Sequence, residues 1–382
     1  MSSPYDGLRP SAYWKSGVVE NAPQNADDLY APKFPIARSD GIATAGSCFA
    51  QHIARHLRKN GFTVLDMEPA PRLMPDDMRA AYGFSLYSAR YGNIYTARHL
   101  LQLARDAFSG NVDASDIWVK DGRFYDAIRP TIERCGFDSV EEALAIRRSH
   151  LEKVRKLFET MDVFVFTFGL TEAWVNKSTG RVYPIAPGTV AGAYDPDLFA
   201  FINFGFNEIR DDFSLFRNLV RECNPGVRFL LTVSPVPLTA TASNYHVLIA
   251  STYSKSVLRS AAGALCSEYA DIDYFPSYEI IATPWSRGAF YESNLRSVSS
   301  DGVATVMRVF FSAHGVQLNE AAGGAEEGRD RLANRPLRER RDAKGQKSSK
   351  RRSKKKKKKL KQRSRESENE VCDDLLLEAF AP

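Results

Sequence analysis

Residues 44–57 read TAGSCFAQHIARHL. The run GIATA (41–45) is a short apolar strand that breaks at Gly46. In the segment that follows, Phe49, Ile53 and Leu57 share one helical face, and the helix closes at Gly61. FTVLD (62–66) reads as a second strand. Strand, helix and strand in this order make a βαβ unit with a right-handed crossover. The turn at the end of the first strand carries Gly46, Ser47 and Cys48, at the kind of place where α/β proteins gather functional groups.

The rest of the chain repeats the alternation. YTARHLLQLARDAF (95–108) and SVEEALAIRRSHLEKVRKLFETM (139–161) show apolar residues at three-to-four spacing. DVFVFTFGLTEAW (162–174) is nearly continuously apolar, as suits a parallel strand buried on both faces, and the chain then turns around Ser178 to Gly180 as a hairpin. A helix through residues 211–226, the strand VRFLLTVSPVPL (227–238), a helix over 246–270, the strand DIDYFP (271–276) and a helix over 299–315 complete the body. The expected fold is α/β with a mainly parallel sheet. The expected organisation is an irregular arm (1–39) pinned by its aromatics, a domain over 40–318 with a helical insertion at about 97–160, a basic tail (319–370) and a short acidic, apolar segment (371–382).

Net charge is unevenly spread. Of 52 Lys/Arg and 46 Asp/Glu, 20 and 3 lie in residues 329–365, so this stretch carries +17 and the rest of the chain −11. Such a composition predicts disorder for the tail and a salt-sensitive attraction to anionic polymers or a membrane surface, without a specific nucleic-acid motif. The last residues, ENEVCDDLLLEAF, suit a short helix that docks back on the tail or the body. No apolar run is long enough to span a bilayer, and the first residues lack a secretory pattern, so a cytoplasmic protein is expected. Five widely spaced cysteines without a CxxC argue against a disulfide framework and a Cys-rich zinc site.

A thiol at the first turn of a helix meets unpaired N–H groups that favour thiolate, whereas a serine before a helix commonly caps it. His52 and His56 share a face with Cys48 in the manner of HxxxH metal ligands, but no carboxylate or further cysteine is near in sequence, and no metal or cofactor is expected. His246 follows the strand ending TVSPVP and leads the next helix, as a base or as a helix-starting residue. His99, His150 and His314 sit in charged or polar helical contexts and are expected at the surface.

The letters Gly46-Ser47-Cys48-Phe49-Ala50, with YGNIYTARHLLQL, TFGLTEAW, LLTVSPVPL and TYSKSVLR, resemble the GSCFA family, which looks like a branch of the SGNH/GDSL hydrolases. The resemblance implies a flavodoxin-like three-layer α/β/α sandwich. It places Cys48 on the superfamily's nucleophile and Ser47 on its aspartate. Gly92, with Asn93 beside it, matches the glycine of the oxyanion hole, and Gly169-Leu170-Thr171-Glu172 matches Gly-x-Asn-Asp. Thr171 thus offers a hydroxyl to the oxyanion, and Glu172 a structural hydrogen bond. The Asp-x-x-His that supplies the base is replaced by Asn294 and Ser297, which cannot accept a proton near neutral pH. Either a Cys48 thiolate needs little help, or His246 serves as base. The expected activity is that of an esterase or O-acyltransferase acting on a small-molecule or glycan ester; the alternative is a non-catalytic module that binds a glycan or acyl ligand.

Overall fold

The computed structural model describes residues 3–22, 28–316 and 373–380. Its regular elements are β1 (Ile42–Gly46), α1 (Phe49–Lys59), α2 (Asp76–Ala81), α3 (Ala97–Ser109), β2 (Ile117–Lys120), β3 (Arg123–Asp126), α4 (Val140–Thr160), β4 (Val163–Phe168), β5 (Glu172–Asn176), β6 (Val182–Tyr183), β7 (Phe199–Asn203), α5 (Phe206–Cys223), β8 (Arg228–Val233), α6 (Val247–Glu268), β9 (Ile272–Tyr274), α7 (Ser277–Ala282) and α8 (Ser300–Ala313). Side-chain oxygens of Thr96, Ser139 and Ser299 accept the third N–H of α3, α4 and α8, so three of the long helices begin at a polar cap written in the sequence.

The continuous apolar runs form one parallel sheet in the order β1-β4-β8-β9. Alternation along each strand sorts the side chains to opposite faces. Ile42, Val163, Val165 and Leu230 pack with Phe49, Ile53 and Leu57 of α1, Ile280 of α7 and Phe310 of α8. Ala43, Ala45, Phe164, Phe166, Phe168, Phe229 and Leu231 pack with Leu100 of α3, Leu157 of α4, Phe213 and Phe216 of α5 and Leu258 of α6. Helices therefore cover both faces, and the architecture is a three-layer α/β/α sandwich.

The expected strand at 62–66 is reduced to a single parallel bridge, Val64 to Ile42. The outer edge of β1 is taken by Ser88 instead, whose hydroxyl accepts from Thr44 N–H at 3.0 Å and whose own N–H donates to the Thr44 carbonyl at 3.4 Å. With that bridge counted, the order in the sheet is 2-1-3-4-5, and the chain reverses direction between β1 and β4. A crevice at the carboxyl ends of those two strands is where such sheets bind ligands.

The insertion between α3 and α4 is not wholly helical: β2 and β3 form a hairpin. A second antiparallel sheet, β6-β5-β7, includes the hairpin expected around Ser178 to Gly180. Buried ions hold these pieces to the helices. Arg147 of α4 reaches Asp126 of β3 at 2.9 Å and Asp106 of α3 at 3.0 Å. Arg181 bridges Asp106 at 2.8 Å and Asp116 at 3.0 Å, and Arg129 pairs with Asp126 at 2.8 Å. Burial alone would raise the Asp126 carboxyl, but Arg147 and Arg129 outweigh it and hold the group down to about 2.

His99 and His150, expected at the surface, are buried. The polar faces of α3 and α4 look inward at the ion network rather than at solvent. His150 Nδ1 lies 2.7 Å from Glu68. His314 is half-buried, and its Nδ1 accepts from Ile36 N–H at 3.3 Å. In the N-terminal arm, Tyr30 is buried and donates to Asp273 at 2.8 Å, whereas Tyr5, Tyr13 and Trp14 are exposed and the Tyr13 hydroxyl donates to the Tyr5 carbonyl within the arm. The expected disorder of the basic tail falls on residues outside those described. Among the described residues no helix is long and apolar enough to cross a membrane.

Burial, followed by the nearby Arg147 and Arg181, lowers the His99 imidazole to about 3. A depressed imidazole stays neutral in the folded chain while the unfolded chain takes up a proton, so stability is lost as pH falls below about 6.5. His99 alone should cost about 2 kcal/mol between pH 7 and pH 5. Urea midpoints measured across that range should fall for the wild type and fall less steeply for His99→Gln; parallel slopes would refute the assignment.

Candidate functional site

A small cavity lies at the carboxyl ends of β1, β4 and β8. Its walls are Ser47 and Cys48 from the turn after β1, Tyr95 from the loop before α3, Gly169 and Leu170 after β4, Ser234, Val236, Pro237 and Leu238 after β8, and Lys255 of α6. Two glycines allow the backbones to come this close. Gly46 has φ +134°, and a Cβ there would stand 2.4 Å from the Thr167 carbonyl oxygen. A Cβ on Gly169 would lie 2.9 Å from the Tyr95 ring and 3.1 Å from the Ser47 Cβ. The GSC turn is thus pressed against the end of β4, and Ser47 N–H donates to the Thr167 carbonyl at 3.1 Å.

Ser47 is buried, and its hydroxyl has no hydrogen-bond partner among the described residues. Cys48 is also buried, with apolar neighbours of the α1 face, and it occupies the position that leads into α1. In the first turn of α1 the Ala50 and Gln51 N–H groups donate to the Ser47 and Cys48 carbonyls at 2.9 and 3.0 Å, and the helix directs its positive end at the turn.

Lys255 was not singled out in the sequence. It is only 4% exposed, and its Nζ donates to the Gly169 carbonyl at 2.5 Å. The neighbouring Ser254 hydroxyl accepts the Thr171 N–H at 3.0 Å, so Ser254 and Lys255 together clamp the turn after β4. A signal for it existed: Ser251, Ser254, Lys255, Leu258, Ala262 and Leu265 repeat at helical spacing on the buried face of α6. A lysine on that face needs a polar reason to be there. Its ammonium and the α1 N-terminus make the cavity attractive to negative charge.

The remaining sequence candidates lie around this cavity rather than in its wall. Gly92 adopts φ +70°, and Asn93 follows it. The Asn93 side chain is engaged with Tyr87 and Gln51, and it donates to Asp373 at 2.9 Å. The Thr171 hydroxyl is buried without a partner among the described residues, and Glu172 accepts from the Thr241 hydroxyl at 2.6 Å. His246 is exposed at the start of α6, where its Nδ1 accepts the Leu248 N–H at 3.1 Å, the capping geometry of a helix-starting histidine. The Asn294 oxygen accepts N–H groups of Arg296 and Ser297 at 3.0 and 2.9 Å, and its amide donates to the Ser297 hydroxyl at 3.0 Å. That pair closes an exposed turn on itself. Among the described residues no group of three or more His, Cys, Asp or Glu is placed to hold a metal ion.

The architecture and the cavity define an α/β protein with a parallel sheet whose first strand ends in a buried Gly-Ser-Cys turn. A family model described as the GSCFA family matches residues 41–310, and the chain belongs to that family. No curated protein and no solved structure matches it.

Because Gly46 combines a positive φ with a backbone contact on its Cβ side, Gly46→Ala should destabilise the fold by about 3 kcal/mol or more. Gly169→Ala, where φ is ordinary and the neighbours include side chains, should cost about 1–3 kcal/mol. Denaturant titration of both variants checks the order, and a milder effect at Gly46 than at Gly169 would contradict it.

Proposed function

We propose that the chain is an ester-processing enzyme on an SGNH-like scaffold, an esterase or O-acyltransferase, with Cys48 as the attacking group. The observation that carries this reading is the buried Lys255 in the same cavity wall as Cys48 and Ser47. A cation and a helix N-terminus both favour thiolate, so the missing Asp-x-x-His does not remove the nucleophile. The Cys48 thiolate attacks the ester carbonyl carbon. The unpartnered Ser47 hydroxyl holds the oxyanion at the positive end of α1. The ester C–O bond breaks, and Lys255 gives a proton to the leaving alkoxide. Lys255 then accepts a proton from the water or acceptor hydroxyl that attacks the thioester, and the acid or new ester departs as the thiolate is restored.

In this account Gly92, Asn93 and Thr171 support the walls, and His246 caps a helix. The substrate is a small-molecule or glycan ester, of which the cavity takes the acyl carbonyl. The work belongs in the cytoplasm, where the thiol stays reduced. The basic stretch at 329–365 adds an attraction to anionic polymers or membrane surfaces that weakens with salt. A second reading, a non-catalytic module that binds a glycan or acyl ligand, is favoured by the Asn294 to Ser297 turn, which is closed on itself where a base would be needed.

Purified full-length protein should cleave p-nitrophenyl acetate. Cys48→Ala should return the rate to background, Ser47→Ala should lower it by about 10²-fold through loss of an oxyanion donor, and His246→Gln should leave it near wild type. Background rates for the wild type and all variants would overturn the enzyme reading in favour of the binding module.

A further inference from the structure

A polar site beside the GSC turn is filled by the chain itself. Asn93 Nδ2 donates to Asp373 Oδ2 at 2.9 Å, and Thr131 Oγ1 donates to Asp373 Oδ1 at 2.7 Å. Two neutral donors therefore grip the two oxygens of one carboxylate, and Asn93 and Asp373 are both about 3% exposed. Asp373 begins the 3-10 helix Asp373–Phe380. Beyond it Leu376, Glu378, Ala379 and Phe380 of that helix are exposed, and Leu377 is half-buried. The Asp373 carboxylate is the polar anchor of the docked segment.

The receiving side is wired to the candidate site. The Tyr87 hydroxyl sits between Asn93 Oδ1 and the Ser47 carbonyl, the latter at 3.2 Å. The next residue, Ile94, donates its N–H to the Gly46 carbonyl at 2.9 Å. Tyr95, one residue further, forms part of the cavity wall. An occupant of the Asn93–Thr131 site thus bears on the loop that positions both the GSC turn and one wall of the cavity.

We propose that Asn93 and Thr131 form a carboxylate-receiving site, and that the C-terminal segment is a latch held there by Asp373. The segment is joined to the body by residues 317–372, so it can leave and return without dissociating from the molecule. When it leaves, two donors lose a charged partner, one of them buried. The open state therefore re-latches or takes another carboxylate.

Hydrogen exchange on the full chain tests this. In Asp373→Ala, exchange over residues 373–380 and over the loop 91–96 should accelerate by about tenfold or more, as expected for the loss of two charge-assisted hydrogen bonds. Thr131→Val should give a smaller change in the same direction, and Glu378→Ala, at an exposed carboxylate of the same segment, should give none. A labelled peptide with the sequence of residues 371–382 should bind full-length Asp373→Ala more tightly than wild type, whose site is filled, and the peptide carrying Asp373→Asn should lose that binding. Unchanged exchange over 373–380, or equal peptide binding by wild type and Asp373→Ala, would overturn the proposal. Neither readout needs ester turnover, so failure of the latch and failure of the enzyme reading are told apart.

Discussion

The contact on which the site depends is the approach of the β1 backbone to the end of β4 at Gly46 and Thr167. A side chain at position 46 would collide with the Thr167 carbonyl, so only glycine lets the strand end there and the chain turn. From that contact follow the hydrogen bond of Ser47 to Thr167 and the burial of Ser47 and Cys48. The seat of the Asn93 loop on the Gly46 carbonyl follows as well. Gly169 continues the same logic one strand over, admitting Ser47 and Tyr95 where any Cβ would push them apart.

Two kinds of buried polar chemistry sit within the sandwich, and they differ in completeness. In the insertion, three arginines and three aspartates pair with one another, so burial leaves no net charge and the network acts as a lock. Along β1 and β4 and in the turns after them, the Thr44, Ser47, Thr167 and Thr171 hydroxyls are buried without partners among the described residues. Buried polar atoms left unsatisfied in one place call for a reason such as a ligand, a water or a reacting group. The first cluster fixes geometry, and the second leaves capacity for binding.

What could be read in the amino acids follows from where each signal originates. β1, β4 and β8 were legible because a parallel strand covered on both faces is written as an unbroken apolar run, and α1 because its apolar stripe is regular. Residues 62–66 carry the same kind of run, yet pairing there depends on a competitor 20-odd residues away, Ser88, which local pattern cannot show. The hairpin of β2 and β3 was written plainly, with Asp121 and Gly122 both at positive φ between two short strands, and it was hidden by the helical periodicity on either side. The burial of His99, His150 and Lys255 is hidden from local pattern for one reason. A polar residue on a helix reads as solvent-facing unless its buried partner, far off in sequence, is known.

The docking of Asp373 changes the meaning of the lysine-rich stretch. Residues 317–372 are bounded on both sides by described parts of the same body, ending at Val316 and resuming at Asp373. These residues are joined to the body through Val316 on one side and through Asp373 on the other. The positive charge is then leashed. A single cut in the stretch would leave the segment that carries Asp373 held to the body by its noncovalent contacts alone.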